Sequence, residues 1–452
     1  MLLAEKTIDD GPLLVDDTRF INGSVLNDTI VHKNCSLHIR GNLKGNLTIE
    51  QGASVVIEGA VDGKVVNNGG RLVVHHKGIV GFLRVDGPPE AEAGGILKVD
   101  LTAIVFNWEM LAKRVACECA AVVKADAYGC GIEPVVTALT EIGCKTFFVS
   151  NLAEARRVRA AAPQSIVYVL NGLFAGNGAT FAEINVRPVI NSLVEMAEWD
   201  AFVASSQWTG GFALNFDIGQ SRHGLPLPEA SALAARTQSP GHGIALLMSQ
   251  LDQPGPPDNP LHDRQFEVLQ DLRRLYGGVP VSVAGSSGIF AAPKLHFDLV
   301  RPGAALFGLN PTPGATNPMV PVVELKARIV QVHNLSPGET TAHQHGWTAK
   351  RPTRVAMVAV GYADGYPRSV STVAAPQAIV GNQLCPIIGR SMDQLAIDVT
   401  DLAAPSAARR DGMVTLIGGE ISVDGLAAAT ASSGREILSI LGHRFHRVCY
   451  AT

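Results

Sequence analysis

The sequence predicts an α/β protein. We expect a (β/α)8 barrel of the TIM type at residues 96–318 and a C-terminal β domain at 319–452. A small N-terminal β-solenoid at 1–86 precedes them, joined by a linker at 87–95. Three observations predict this. Strand-like apolar runs alternate with amphipathic, helix-length segments through the middle of the chain. After Pro311 the helical pattern gives way to strands and turns. Before Gly87, short β-branched runs recur with glycines between them, at a period of roughly 17 to 19 residues.

Composition narrows the possibilities. The chain has 452 residues, enough for about three domains. Apolar content of 46% and charged content of 17% belong to a globular chain. A formal net charge of −4 gives no support for nucleic-acid binding. No apolar run approaches the roughly 18 residues that a membrane span needs. The segment Met1 to Asp10 carries three acidic residues and one lysine, so it does not read as a signal peptide. Seven cysteines are scattered without metal-ligand spacing, so no metal is expected. Cys117 and Cys119 alternate along a strand-like run, as small buried thiols do. A reducing, cytoplasmic location is the expectation.

In the N-terminal part the recurring runs are Leu37-His-Ile39, Val55-Val-Ile57, Leu72-Val-Val74 and the less regular Phe82-Leu-Arg-Val85. Leu47-Thr-Ile49 and Lys64-Val-Val66 interleave with them, and Gly41, Gly59 and Gly78 mark corners. The period is too short for a helical repeat and suits one solenoid coil with about three faces. No acid, base or ligand cluster recurs there. Gly87-Pro-Pro-Glu-Ala-Glu-Ala-Gly-Gly95 has linker composition. Leu97 to Leu101 and a helix from Thr102 to Val115 open the barrel region. Its strands are expected at Ala120–Val123, Thr146–Val149, Ile166–Leu170, Arg187–Ile190, Gly211–Asn215, Gly243–Met248 and Val279–Val283. Helices are expected at Glu133–Glu141, Leu152–Ala162, Val194–Val203 and Arg264–Leu275. The β domain should contain strands at Val320–Val332, Arg354–Val360, Gln377–Val380 and Met413–Ile417.

Ala121-Val-Val-Lys124-Ala-Asp126-Ala-Tyr128-Gly129-Cys130-Gly131 carries the chemistry. A buried strand delivers Lys124 to its C-terminal end, the catalytic face of such barrels. Desolvation there lowers an amine's pKa and makes it nucleophilic toward an aldehyde cofactor. Taken alone, Lys124 also reads as an ordinary lysine at a strand end. Three further stretches fit a small anionic substrate and cofactor. Arg222, in Asp217-Ile-Gly-Gln-Ser-Arg222-His-Gly224, offers a fork for a carboxylate. Ser286, in Ala284-Gly285-Ser286-Ser-Gly288, sits at a strand–helix junction where a hydroxyl and amides suit a phosphate. Val300-Arg301-Pro-Gly303-Ala304-Ala-Leu-Phe-Gly308 adds a second arginine beside a tight turn.

These stretches, from about Gly95 onward, resemble the alanine racemase family. Its lysine motif runs Val-Val-Lys-Ala-Asn/Asp-Ala-Tyr-Gly-His-Gly, with Cys130 replacing the histidine. The resemblance implies pyridoxal 5'-phosphate on Lys124. It implies a phosphate site from Tyr128, Ser286, Gly303 and Ala304, and Arg222 lining the substrate pocket. Arg301 would face the pyridine nitrogen, where a cation disfavours protonation and restrains transamination. Tyr362, in Val360-Gly-Tyr362-Ala-Asp364-Gly-Tyr366-Pro-Arg368, would line the entrance to the other subunit's active site. Met392 matches a substrate-side residue, although Gly389-Arg390-Ser-Met392 is one residue shorter than the family's stretch. Arg435 stands where the family has a phosphate-binding tyrosine, Gln250 where it usually has a histidine, and Asn215 where some members carry a carbamylated lysine. Asp258, Pro260, Arg264 and Gln265 follow the family's pattern. Without gaps, the family's catalytic tyrosine falls on His343; a shifted loop would place His345 there instead. The N-terminal part resembles bactofilin-type, polymer-forming β-helical proteins.

The resemblance implies a homodimeric racemase acting on L- and D-alanine or a similar small amino acid, its active site completed in trans. Lys124 would serve one face of the substrate and a second acid/base group the other, with higher assembly through the solenoid. Two other readings stay open. One is a diverged enzyme of the same fold and cofactor, such as a decarboxylase or lyase. The other is a polymer-forming scaffold with a degenerate barrel.

Overall fold

The computed structural model describes residues 2–3, 12–63, 65–67, 71–74, 79–80, 83–86, 88, 90–219, 221–238, 241, 243–251, 260–341, 347–369 and 375–451. They form two compact units. One is Ala103–Val322; the other combines Met1–Thr102 with Val323–Thr452.

The first unit is a TIM-like arrangement. Its strands Ala121–Val122, Thr146–Val149, Ile166–Val169, Arg187–Ile190, Phe212–Asp217, Ile244–Met248 and Val281–Ser282 lie side by side in chain order, all parallel. Leu299–Val300, not singled out as a strand from sequence, pairs in parallel with Glu118–Cys119, just upstream of the first strand. The strands are short continuous apolar runs because parallel strands are covered on both faces. Thr146–Val149 is buried at every position. Ala120, Val122, Phe148, Tyr168, Val189, Ala213, Leu246, Met248 and Leu299 form one core. The helices between them are one-sided: Ile132–Glu141 buries Ile132, Val135, Val136 and Leu139, the spacing of a single helical face. Burying each such side chain contributes about 1.5–3 kcal/mol. Asn151 and Ser192 cap the helices Leu152–Ala161 and Leu193–Ser206 through side-chain oxygens.

The second unit is a mixed sheet. The long strand Val323–Leu335 pairs antiparallel with Gly95–Asp100, Met413–Ile417 and Thr353–Val358. Gln383–Arg390, Leu395–Asp398 and His446–Tyr450 complete its C-terminal part. The strand Gly95–Asp100 corrects the expected division of the chain. It was assigned to the barrel, yet it lies between Val323–Leu335 and His446–Tyr450. Its alternating burial, with Leu97 and Val99 inside, is the physical reason. Such alternation suits a sheet with one covered face, not a barrel strand.

The N-terminal strands stack in three parallel series within this unit. Leu37 lies opposite Val55 and Ile39 opposite Ile57, with side chains 18 residues apart meeting, as Arg40 and Glu58 do. Val15, Val31, Ile49, Ile21, Ile39, Ile57, Leu43 and Val61 point into a shared apolar core. A Cβ on Gly59 would lie 2.0 Å from the Gly41 carbonyl oxygen, so this corner admits only glycine. Ile79–Val80 then pairs antiparallel with Leu83–Asp86, which pairs antiparallel with His446–Tyr450. Described parts of the 87–95 segment are anchored too. The Pro88 carbonyl meets His446 Nδ1 at 2.9 Å, Arg328 donates to the Glu90 carbonyl at 3.2 Å, and Ala93 is buried. The linker composition thus reflects a close-fitting turn rather than a free tether.

Candidate active site

Lys124 stands half-buried at the C-terminal end of its strand, as expected. The backbone beyond it was not foreseen. Ala125, Asp126, Ala127 and Tyr128 all have φ between 52° and 54°, a left-handed turn without glycine. Each such residue costs roughly 1–2 kcal/mol, and sustained strain of this kind clusters at functional sites. Several bonds offset the cost. Within the turn, Ala127 N–H donates to the Val123 carbonyl at 2.9 Å and Gly129 N–H to that of Ala125 at 2.8 Å. Ala125 N–H donates to Glu154 Oε1 at 2.7 Å and Ile132 N–H to Asp126 Oδ1 at 3.1 Å. Arg157 binds Asp126 at 2.7 Å and forks onto Glu133 through two bonds of 2.6 Å. Glu133 foremost, then Asp126, holds this guanidinium above the usual arginine range against the cost of burial.

A donor cradle lies next to the turn. Ser286 Oγ accepts the N–H groups of Gly303 at 3.1 Å and Ala305 at 3.0 Å. The second amide is that of Ala305; Ala304 instead opens the short turn Ala304–Phe307. A Cβ on Gly303 would lie 2.6 Å from Tyr128 Oη, so the phenol occupies the space that only glycine leaves. The Tyr128 ring stacks on Phe307 at 4.7 Å. Two hydroxyls thus converge, with the two amides bound to Ser286 Oγ, and hydroxyl donors of this kind suit a phosphate dianion.

Arg301 is buried. Its Nε donates to Ser282 Oγ at 2.8 Å and another nitrogen donates to the Ser249 carbonyl. Its guanidinium carbon lies 5.7 Å from the Phe148 ring centre. Burial lowers its pKa to about 10, which leaves it a cation at neutral pH. Phe148 stacks on Tyr168, whose hydroxyl accepts a bond from Arg187 at 2.9 Å. Burial, partly opposed by Arg187, pushes that phenol's pKa up. Sequence reading missed Ser249 and Ser282, which hold Arg301; their position at or just past the ends of Ile244–Met248 and Val281–Ser282 was the available signal. Gln250 is exposed. Asn215 donates to Asn191 Oδ1 at 2.9 Å and to the His223 carbonyl at 3.3 Å. Arg222 is exposed, and makes no ion pair among the described residues.

The second unit holds a cavity of about 1360 Å³ lined by Tyr362, Tyr366, Arg368, Arg390, Met392 and Glu436, among others. Tyr362 N–H donates to the Ser391 carbonyl at 3.1 Å and Ala363 N–H to that of Met392 at 2.9 Å. These bonds tie the two motifs together. Ser391 N–H and Oγ both donate to the Gln394 carbonyl, closing a tight turn just before Leu395–Asp398. Burial lowers the pKa of Arg390, with Tyr366 opposing. Arg435 is exposed on the helix Gly434–Ser439 and does not line this cavity. His343, His345 and Asp258 lie outside the described residues. In sequence the two histidines lie between Thr341 and Trp347, and Thr341 N–H donates to the Trp347 carbonyl at 3.2 Å. Thr341 lines the cavity. Among the described residues no group of His, Cys, Asp and Glu is arranged for a metal, and no helix is long and apolar enough to cross a membrane.

Fold and site define a class: TIM-like barrel proteins that present a strand-end lysine beside an anion cradle, with a β domain attached. The comparisons name the family. Residues 99–311 match the model of the alanine racemase N-terminal domain, and residues 322–449 that of the alanine racemase C-terminal domain. An alanine racemase of Methylobacterium sp. (strain 4-46) is 42% identical over 356 residues, covering 78% of this chain and 97% of the relative. A catabolic alanine racemase of Mesorhizobium japonicum is 39% identical, covering 79% of this chain and 94% of the relative. The crystal structure of alanine racemase from Bartonella henselae, with covalently bound pyridoxal phosphate, matches with a TM-score of 0.74 at 31% identity. That match covers 78% of this chain and 99% of the other. The chain belongs to the alanine racemase family.

Proposed function

We propose that the protein is a pyridoxal-phosphate-dependent racemase that interconverts L-alanine and D-alanine. The observation that carries this is the cradle of Tyr128, Ser286, Gly303 and Ala305 beside the strained turn that follows Lys124. Pyridoxal 5'-phosphate, when bound, supplies the electron withdrawal that loosens the substrate's Cα proton. Lys124 would hold the cofactor and, its amine released when the substrate's amine takes its place, would take or return that proton on one face. The cradle, with Ala304 and Arg435 as further candidates, holds the phosphate. Arg301, a cation kept in place by Ser282 and Ser249, belongs at the pyridine nitrogen. Arg222 holds the substrate carboxylate. The second acid/base group is His343, with His345 the alternative, supplied in trans with Tyr362 and Met392 by the partner of a homodimer.

Finer readings belong with this one. We read the barrel as a complete (β/α)8 ring. The bond from Arg301 N–H to the Ala284 carbonyl, and the pairing of Leu299–Val300 with Glu118–Cys119, support it. We read residues 1–86 as a bactofilin-like β-solenoid that promotes higher assembly; three parallel strand series around one apolar core support it. None of the seven cysteines is in a disulfide, which is consistent with a cytoplasmic protein. The test is to incubate the enzyme with single alanine enantiomers in deuterated water and follow both inversion and α-deuteration. Inversion in both directions is expected. Exchange without inversion, or loss of carbon dioxide, would sink the racemase reading.

A further inference from the structure

We propose that Glu154 is a positioning residue for Lys124: its carboxylate fixes the peptide that leaves the lysine and so sets the direction in which the side chain leaves the backbone. This rests on Lys124 being the cofactor-holding lysine. Val123 is the last residue of the strand ladder, donating to the Phe148 carbonyl at 2.9 Å. The left-handed turn then makes its own bonds from Ala127 and Gly129. Ala125 N–H finds its acceptor outside the turn, in Glu154 Oε1 at 2.7 Å. The other carboxylate oxygen accepts Ser150 N–H at 2.8 Å. Ser150 directly follows Thr146–Val149, the strand paired with the lysine's own. One carboxylate therefore ties two adjacent strand ends.

The geometry gives this tie a chemical consequence. Ala125 N shares a rigid peptide plane with the Lys124 carbonyl. Holding that N–H restrains ψ of Lys124, and with it the direction in which its Cα–Cβ bond leaves the backbone. Glu154 is itself held, since its N–H is capped by Asn151 Oδ1 at 3.0 Å in the first turn of Leu152–Ala161. Asp126 anchors the far side of the turn through Ile132 N–H and Arg157.

A glutamate in a helix's first turn does such work without any catalytic meaning, and this molecule contains the control. Glu195, in the first turn of Leu193–Ser206, is capped by Ser192 and accepts Asn191 N–H at 3.0 Å and Leu173 N–H at 3.4 Å. The cap and the pair of backbone donors match those of Glu154, although both donors here share Oε2 while Glu154 gives one oxygen to each. The far donor differs too: a loop residue for Glu195, but the residue after the lysine for Glu154.

The experiment compares full-length wild type, Glu154→Gln and Glu195→Gln as apoproteins. Glutamine keeps the length but, in place of Glu154, turns an NH2 toward one of the two N–H donors. Each protein is titrated with pyridoxal 5'-phosphate. The readouts are affinity, visible circular dichroism per bound cofactor, borohydride trapping on Lys124 located by mass spectrometry, and the urea midpoint without cofactor. Glu154→Gln should bind cofactor about tenfold more weakly or worse, with an altered dichroic band. Glu195→Gln, whose carbonyl oxygen can keep both donors, should keep wild-type affinity. Wild-type affinity and dichroism in Glu154→Gln would overturn the proposal, as would equal weakening by both variants. If Glu154→Gln does not fold, Glu154→Asp, which keeps the charge and shortens the reach, decides by the same readouts. A wild type whose cofactor cannot be trapped on Lys124 overturns the underlying reading and the proposal with it. That outcome is seen before any variant is made.

Discussion

Racemisation needs a proton taken from one face of Cα and returned to the other, and in the proposed mechanism Lys124 serves one face only. An imidazole does acid/base work near neutral pH, with less perturbation than a phenol requires. This is why His343, aligned with the family's tyrosine, carries the weight of the proposal. His343→Phe should lose inversion in both directions while α-deuteration of one enantiomer continues. Racemisation at the wild-type rate would remove His343 from the mechanism. A second histidine is a matter of stability. His296 is buried, its Nε2 lies 3.0 Å from the Ile289 carbonyl, and burial, with Arg114 adding, lowers its pKa. The unfolded chain therefore takes up a proton at higher pH than the folded one does. Stability rises with pH wherever the unfolded state binds more protons. This contribution is level above about pH 6.5 and falls away as pH drops below it. Urea midpoints of wild type and His296→Gln across pH 5 to 7 should show the shallower slope in the variant.

At the scale of elements, caps and backbone geometry decide how well the site is held. Asn151 caps the helix that carries Glu154, so Asn151→Ala should cost about 1 kcal/mol in urea unfolding. A larger loss with unchanged cofactor affinity would separate the helix from the site. Much of the barrel was legible in sequence, because a continuous buried run and a one-sided helix have periodicities that do not depend on partners. Thr146–Val149 and Arg187–Ile190 fall where the sequence predicts them. The left-handed turn was not legible, since Ala125 to Tyr128 contains no glycine to announce positive φ. Its geometry is enforced by Glu154, Asp126 and Arg157, two of them distant in sequence. Leu299–Val300 hid behind its arginine motif because only two residues pair. The motif arginines were legible by resemblance. The serines that hold Arg301 were not, because nothing local marks Ser249 or Ser282 as its partners.

For the whole molecule, the question is whether the N-terminal strands can be removed. Every residue given a role in the chemistry lies after Gly95, so a chain starting near Gly94 has its full set of catalytic groups. Sheet pairing argues against so simple a cut. Leu83–Asp86 pairs with His446–Tyr450, setting Arg84, Val85 and Asp86 opposite Cys449, Val448 and Arg447. Val448 also packs on the N-terminal core. Cutting at Gly94 therefore removes a strand from the sheet, leaves the backbone of His446–Tyr450 as a new edge, and uncovers an apolar side chain. It also deletes the Pro88 and Glu90 carbonyls that His446 and Arg328 use. Exposed edges of this kind invite association between chains. A chain starting at Leu83 keeps the strand and both carbonyls, though the partner strand Ile79–Val80 is lost. We expect the Leu83 start to unfold as a single soluble species. The Gly94 start should lose about 3 kcal/mol, roughly one for each lost pairing, and aggregate on concentration. Racemisation per folded molecule should persist in both, because every residue given a role in the chemistry, from Lys124 to Arg435, follows both start points. Urea unfolding, size-exclusion chromatography and single-enantiomer assays on the two truncations decide it. A Gly94 start as stable and monodisperse as the Leu83 start would show that the added strand is dispensable.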